Sequence, residues 1–266
     1  MKKIFIKRND LSHRYKFKCF CGRGNTGTVG KYRDLITGKI VAIKKVSLEN
    51  IDNDWYQEKE ILEQLSDIYP AFLKYYNSFK SKNHLYIIME YAKGRDLNTV
   101  IHKSRLSEKR AQFIFFQLVS AISIAHKRKI VHRDIKLQHI ILCKKDCIKI
   151  LDWGYAIFSD KVCTTIVGSP YYVSPEILSD KPVLNTSNDV WALGVVLYSM
   201  LTGKMLFKEK NTIMIYNKIV NFDYDLSDPN IPDQAKNLLE QILVPYKERI
   251  TCEGILEHLW LTENLL

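Results

Sequence analysis

The sequence predicts an α+β fold in two lobes: a small lobe built on an antiparallel β-sheet with one key helix, then a larger, mainly helical lobe. Three observations lead there. A chain of 266 residues suits one large domain or two small lobes sharing a cleft. The texture changes near Tyr91: short alternating or β-branched segments precede it, and long apolar segments with helix-capping residues follow it. No internal repeat and no low-complexity linker interrupts the chain. The small lobe is placed at residues 1–89, a hinge containing Gly94 at 90–94, and the large lobe at 95–266, all as one domain over 1–266.

In the first part, YKFKCF from Tyr15 alternates as a half-buried strand does. KIVAIKKV from Lys39 and HLYIIMEY from His84 are rich in strand formers. RDLITGK, from Arg33 to Lys39, carries a Thr-Gly turn that joins two strands as a hairpin. DNDWYQEKEILEQL is the one helix here, with Asp52 or Asn53 as N-cap. Glu58, Ile61, Leu62 and Leu65 share its inner face at i, i+3, i+4 and i+7, and Glu60 and Glu63 face solvent. In the second part, SEKRAQFIFFQLVSAISIAH predicts a helix capped by Ser107. DVWALGVVLYSMLTG predicts a helix from Asp189 that stops at Gly203; being apolar nearly all round, it is expected to be buried. QAKNLLEQIL predicts a helix capped by Asp233, and short strands are expected at Ile140–Leu142 and 148–151.

The composition, 46% hydrophobic and 26% charged, is that of a globular protein that needs no staples. The net charge is +11, from 40 Lys+Arg against 29 Asp+Glu. No long basic block interleaved with aromatics appears, and the densest clusters, MKKIFIKR and KKDCIK, are short. A lysine-rich solvated face is therefore expected rather than a nucleic-acid interface. Cys19, Cys21, Cys143, Cys147, Cys163 and Cys252 show neither a disulfide framework nor zinc-ligand spacing. Free thiols in a reducing compartment follow, intracellular and either cytoplasmic or nuclear. The first residues are too charged for a signal-peptide core, and the longest apolar run, VWALGVVLYSML from Val190, is too short to span a bilayer. A monomer with no membrane segment and no accessory domain is expected.

GRGNTGTV at 22–29 places glycines at 22, 24 and 27, where a backbone without Cβ atoms can approach phosphates. A dinucleotide-binding loop would open a helix; here a second strand and a hairpin follow, which points to a two-stranded flap over phosphates. VAIK at 41–44 puts Lys44 mid-strand among apolar neighbours, one hairpin after the glycines. The next helix offers Glu58 on its apolar face, and a lysine clamped by a carboxylate aims its charge at phosphate oxygens. On residues alone, a strand-edge lysine in water and a surface glutamate remain equally open readings. HRD at 132–134 supplies an aspartate that can accept a hydroxyl proton, and DWG at 152–154 supplies a second aspartate after a strand.

Taken in order, the glycine loop, VAIK, HRD, DWG and the SPE at 174–176 make the sequence resemble the eukaryotic protein kinases, from Tyr15 to about Trp260. Lys136, two residues after Asp134, and Ser169 in GSPYYVSPE resemble the serine/threonine rather than the tyrosine class. The resemblance implies a two-lobed kinase fold with ATP between the lobes, a protein substrate, and magnesium as the cation. Gly22, Arg23, Gly24, Asn25, Thr26, Gly27, Val29 and Ala42 would line the ATP site. Lys44 would hold the α/β-phosphates and pair with Glu58. Asp134 would position and deprotonate the substrate hydroxyl, Lys136 would neutralise the transferring phosphate, and Asp152 would hold the metal. Met89 would gate the hinge, the backbone of Glu90 and Ala92 would bind adenine, and Asp96 would reach the ribose. Glu176 with Arg249 would form a structural ion pair, and Asp189 would brace the catalytic loop from below. Leu62, Tyr75, His132 and Trp153 would stack as an apolar column.

One position departs from the family pattern. His139 stands where a metal-binding asparagine is expected. A carboxamide oxygen is a hard ligand suited to magnesium, whereas imidazole prefers softer ions. His139 is thus the atypical member of the metal set beside Asp152; manganese is the alternative cation, and a catalytically silent scaffold is the alternative function. Trp153, in place of phenylalanine, leaves the metal ligand untouched. Thr165, with Thr164 as neighbour, fits the family's activating phosphosite facing Arg133. Gln138 and Ser199 stand where substrate-directing acids are frequent, which argues against strong arginine selection. VGSPYYVSPE resembles the NIMA-related group, while other segments resemble AMP-activated or calmodulin-dependent kinases.

Overall fold

The computed structural model describes residues 10–48, 55–81, 83–159, 167–179 and 181–263. The chain forms two compact units, Met1–Lys93 and Gly94–Leu266. In the first, a short helix α1 (Asp10–Arg14) leads into β1 (Tyr15–Gly24), β2 (Gly27–Asp34), β3 (Ile40–Ser47), α2 (Trp55–Leu65), β4 (Tyr75–Lys80) and β5 (His84–Glu90). The five strands form one antiparallel sheet in the order β1-β2-β3-β5-β4. The expected hairpin between β2 and β3 is present, held by Asp34. Its Oδ1 accepts the amides of Ile36 at 2.9 Å and Thr37 at 3.4 Å, and Arg14 reaches its Oδ2 at 3.1 Å.

Alternation along β3 divides the sheet into two faces. Val41 and Ile43 join Tyr15, Phe79 and Ile88 in one apolar cluster, with the Phe79 and Tyr86 rings stacked 4.7 Å apart at its margin. Ala42 and Lys44 therefore point to the opposite face. The inner stripe of α2 is as expected: Glu58, Ile61, Leu62 and Leu65 are buried, and Glu60 and Glu63 are exposed. The expected cap at Asp52 or Asn53 lies outside the described residues.

The second unit contains β6 (Arg95–Asp96), α3 (Leu97–Lys103), α4 (Glu108–Lys127), β7 (Ile130–Val131), β8 (Ile140–Leu142), β9 (Ile148–Ile150) and β10 (Ile157–Phe158). After these come α5 (Thr186–Thr202), α6 (Thr212–Val220), α7 (Asp233–Ile242), α8 (Cys252–Glu257) and α9 (Leu259–Thr262). β6, β8 and β9 pair antiparallel, and β10 pairs with β7. Both small sheets flank the segment that carries HRD and DWG.

Two helix starts differ from expectation. α5 begins at Thr186, not Asp189. Asn185 caps it by accepting the Ser187 amide at 2.8 Å, and Asn188 returns the bond to the Asn185 amide at 2.7 Å. This box releases Asp189 from capping and turns it into the interior. In α7 Pro232 takes the cap position and Asp233 is the first helical residue, favoured there by the helix dipole. Ser107 does sit at the cap of α4, but its hydroxyl makes no capping hydrogen bond. α5 is buried from Asn188 to Thr202 and ends at Gly203 with φ 74°. A methyl group at Gly194 would lie 2.5 Å from Ile242, so the bare glycine backbone is what lets α7 pack on α5. Among the described residues no helix is long and apolar enough to cross a membrane.

Candidate active site

In the first unit, Gly24 pairs with Gly27 and the chain turns at Asn25 and Thr26, so the glycine motif closes a hairpin and opens no helix. Gly27 has φ 146°, and a Cβ there would lie 2.6 Å from the Lys45 carbonyl oxygen. Only glycine fits a strand so close to its neighbour. Arg23 pairs with Thr28, Gly22 with Val29, and Lys31 with Ala42, so the candidate residues of the glycine hairpin and Ala42 lie on adjacent strands of one sheet.

Lys44 is bonded into the sheet between Val29 and Ile87 and is 3% exposed, which removes the reading of a strand-edge lysine in water. Its ammonium donates to Glu58 Oε1 at 2.6 Å and to Thr26 Oγ1 at 2.9 Å. A buried cation is stable only against such partners. At the end of β5, the Glu90 amide donates to the Lys74 carbonyl at 2.8 Å, so that amide is committed to the sheet. Met89 is buried, and Ala92 is half-buried in the extended segment after β5. In the second unit, Asp96 caps α3: its two oxygens accept the Thr99 amide at 2.8 Å and the Thr99 hydroxyl at 2.7 Å.

Asp134 lies in the loop after β7 and is 4% exposed. Lys136 donates to its Oδ2 at 2.7 Å and Ser169 to its Oδ1 at 3.1 Å. Lys136 also reaches the Ser169 oxygen at 2.9 Å, closing a triangle. The carboxylate is thus oriented from two sides. Gly168, with φ 107°, brings Ser169 in: a Cβ at Gly168 would lie 2.8 Å from the Arg133 carbonyl oxygen. The serine's class-marking position is readable in the sequence; its bond to Asp134 is a tertiary contact.

Beneath this loop Asp189 accepts the amides of His132 at 2.8 Å and Arg133 at 2.9 Å. The arrangement matches the bracing expected of it and explains how Arg133 is held at φ 69°. Burial alone would raise the Asp189 carboxyl, but the hydrogen bond with His126 at 3.0 Å, the field of His126 and His132 and the His132 amide outweigh it and hold the pKa below the ordinary value. His126 in turn lies 3.6 Å from the buried Cys252 thiol. Neither His126 nor Cys252 stands out in the sequence, because each belongs to the apolar face of its own helix.

The His132 ring is fixed at both nitrogens. Nδ1 accepts the Asp134 amide at 3.2 Å, and Nε2 donates to the Leu151 carbonyl at 3.2 Å. Trp153 packs against it with centroids 4.5 Å apart. Leu62 is buried in α2 and Tyr75 lies in β4. Asp152 stands at φ 55° and accepts the Gly154 amide at 3.3 Å. His139 Nδ1–H donates to the Asp134 main-chain carbonyl at 3.0 Å, and its Nε2 lies 3.7 Å from Asp152 Oδ2. Burial drives the His139 pKa down to about 4 and Lys136 pushes the same way, against the pull of the Asp134 and Asp152 carboxylates.

Among the described residues no group of three or more His, Cys, Asp or Glu could hold a metal by itself. The His139–Asp152 pair fits an ion completed by a substrate's phosphate oxygens, as is common for cations in phosphoryl transfer. Glu176 and Arg249 form the expected buried pair at 2.6 Å. Gln138 is exposed, whereas Ser199 is buried and donates to the Val195 carbonyl at 3.0 Å, so it faces no substrate from that position. Thr164 and Thr165 lie outside the described residues.

Comparison with known proteins extends these observations. The protein kinase domain model matches residues 15–261. NUAK family SNF1-like kinase 1 of Mus musculus is 34% identical over 262 residues, covering 95% of this chain and 39% of that protein. NUAK family SNF1-like kinase 2 of Pongo abelii is 35% identical over 273 residues, covering 98% and 43%. CBL-interacting protein kinase 1 of Oryza sativa subsp. japonica is 32% identical over 269 residues, covering 97% and 58%. The chain thus spans only about two fifths of the length of the NUAK relatives it matches. A match running from the first strand of the sheet to the last helix makes the assignment plain: the chain belongs to the protein kinase domain family, whose members use ATP with a divalent metal ion and act on protein substrates.

Proposed function

We propose that this chain is a single protein kinase domain over 1–266 that transfers the γ-phosphoryl group of ATP to serine or threonine hydroxyls of proteins. The observation that carries the reading is the Asp134 carboxylate, buried and oriented by Lys136 at 2.7 Å and Ser169 at 3.1 Å, on a loop whose amides are clamped by Asp189. Phosphoryl transfer asks little covalent chemistry of a protein; it asks for position and for charge that meets the transferring group. Asp134 accepts the hydroxyl proton as the oxygen attacks. Lys136, already beside that carboxylate, meets the negative charge on the phosphoryl oxygens. Lys44, fixed by Glu58, holds the α/β-phosphates, and the glycine hairpin offers backbone amides to the phosphates. A divalent ion, when bound at Asp152, withdraws charge from the phosphates.

The active reading is favoured over a silent scaffold because each of these groups is present and His139 keeps the loop hydrogen bond to Asp134. The names of the relatives, kinases in each case, support the same choice. A divalent ion serves the transfer, magnesium being the ion of the family pattern and manganese the alternative; the domain acts as a monomer inside the cell, and phosphorylation of Thr165 raises its activity. The test is transfer of labelled phosphate from ATP to a serine/threonine protein substrate, with Mg2+ and with Mn2+. Asp134→Asn is expected to lower the rate by about 10²–10⁴-fold. A parent protein that labels nothing above this variant with either ion would overturn the proposal.

A further inference from the structure

Asparagine and histidine differ in what they present to a cation, and position 139 shows how the difference is used. The His139 ring is pinned at one end, where Nδ1–H donates to the Asp134 main-chain carbonyl at 3.0 Å. In the neutral ring the lone pair is then on Nε2. Nε2 faces Asp152 Oδ2 at 3.7 Å, beyond hydrogen-bond distance. A nitrogen donor and a carboxylate oxygen thus face one another across a gap too long for a hydrogen bond. Two neighbouring donors on one octahedral ion at roughly 2.1–2.2 Å stand about 3 Å apart, so a shift of under about 1 Å brings the pair to a shared ion. A ring N–H anchored on a backbone carbonyl, with the opposite nitrogen presented to the ion, is also how metal-ligating histidines are oriented. His132 cannot take the same part, because both of its nitrogens are engaged, by the Asp134 amide and the Leu151 carbonyl.

We propose that His139 Nε2 and Asp152 together bind a first-row transition ion such as Mn2+ or Co2+ in preference to Mg2+, with nucleotide phosphate oxygens completing the coordination. The proposal rests on the ATP-dependent kinase reading above and specifies which cation that site selects. The hard amide oxygen of the family pattern is replaced by a borderline nitrogen, and affinity for a nitrogen donor rises from Mg2+ to Mn2+ to Co2+. The anchor that orients the ligand is supplied by the catalytic loop itself, so the ion site and the Asp134 loop are one mechanical unit.

Pulsed electron paramagnetic resonance on the whole chain, labelled with 15N-histidine and loaded with Mn2+ and a non-hydrolysable ATP analogue, reads the ligand directly. A strong 15N coupling is expected in the parent and none in His139→Asn. Calorimetric titration of the same analogue with each ion is expected to give a Mn2+-over-Mg2+ affinity ratio about 10-fold or more higher in the parent than in the variant. A Mn2+–nucleotide complex that forms without histidine coupling overturns the ligand assignment and leaves the kinase reading standing. Absence of nucleotide binding with every ion overturns both. The spectrum of the parent alone decides the assignment if the variant does not fold.

Discussion

Glu176 and Arg249, 73 residues apart in the chain, meet through two hydrogen bonds of 2.6 and 3.1 Å with both side chains buried. The guanidinium also donates to the Ser187 and Val244 carbonyls and lies 5.0 Å from the Trp191 ring. It therefore ties the segment before α5, the first turn of α5 and the loop after α7 into one knot. Arg249→Ala strands the Glu176 carboxylate in the interior, and breaking a buried pair in this way costs about 3–5 kcal/mol. Denaturant unfolding is expected to show that loss. Arg249→Lys is expected to recover less than half of it, since an ammonium cannot make the forked contact. Full stability in the lysine variant would show that charge alone holds the knot.

In the first unit the Lys44–Glu58 pair at 2.6 Å is the corresponding buried contact. Glu58→Gln keeps the side-chain shape and removes the charge. It is expected to lower the melting temperature and to weaken nucleotide binding several-fold. A double-mutant cycle with Lys44→Met is expected to give a coupling energy above about 1 kcal/mol. Additive losses in the cycle would mean that the contact is geometric only.

Asp189 couples the second unit to pH. Its folded-state pKa is held below the ordinary carboxylate value. The stability it contributes is therefore fully present above the unfolded pKa of about 3.9 and is lost as pH falls through the lower folded value. Asp189→Asn replaces one acceptor of the loop amides by a donor and is expected to cost about 1–3 kcal/mol at neutral pH. The gap between parent and variant is expected to narrow as pH drops below about 4. A gap that stays constant from pH 7 to pH 3 would detach the loop clamp from the carboxylate's ionisation.

Gly94 opens the second unit, immediately before β6. A Cβ there would overlap the Leu142 carbonyl oxygen and lie 2.7 Å from the Ile141 side chain. The β6–β8 pairing of Arg95 with Leu142 depends on that close approach. Gly94→Ala is expected to destabilise the chain by about 1–3 kcal/mol, as overpacking does. Hydrogen exchange at Leu142 and its neighbours is expected to quicken; unchanged exchange would place the strain elsewhere.

Element types were largely legible in the sequence. β3 and β5 follow from runs of strand-forming residues, α2's buried stripe from a period of 3.6, and the buried α5 from being apolar nearly all round, whereas β1 alternates in sequence yet buries only Tyr15 of its ten residues, so it is not half-buried. Boundaries were less so. Asp189 reads as a helix start because aspartate is a good cap, yet Asn185, four residues earlier, caps the helix in a reciprocal box with Asn188. The two-residue strands β6, β7 and β10 are too short to carry a period at all.

What the sequence by itself determined is the identity and order of the chemical groups: the glycine hairpin, Lys44, Glu58, Asp134, Lys136, His139 and Asp152. Only the tertiary structure decided what holds them. Ser169 on the Asp134 carboxylate, the His126–Asp189 bond and the His139 ring anchored on the Asp134 carbonyl join residues up to 63 positions apart. The physical reason is that hydrogen bonds and buried charges depend on distance and direction in space. A propensity is a property of a residue and its near neighbours, whereas a partner exists only once the chain has folded back on itself.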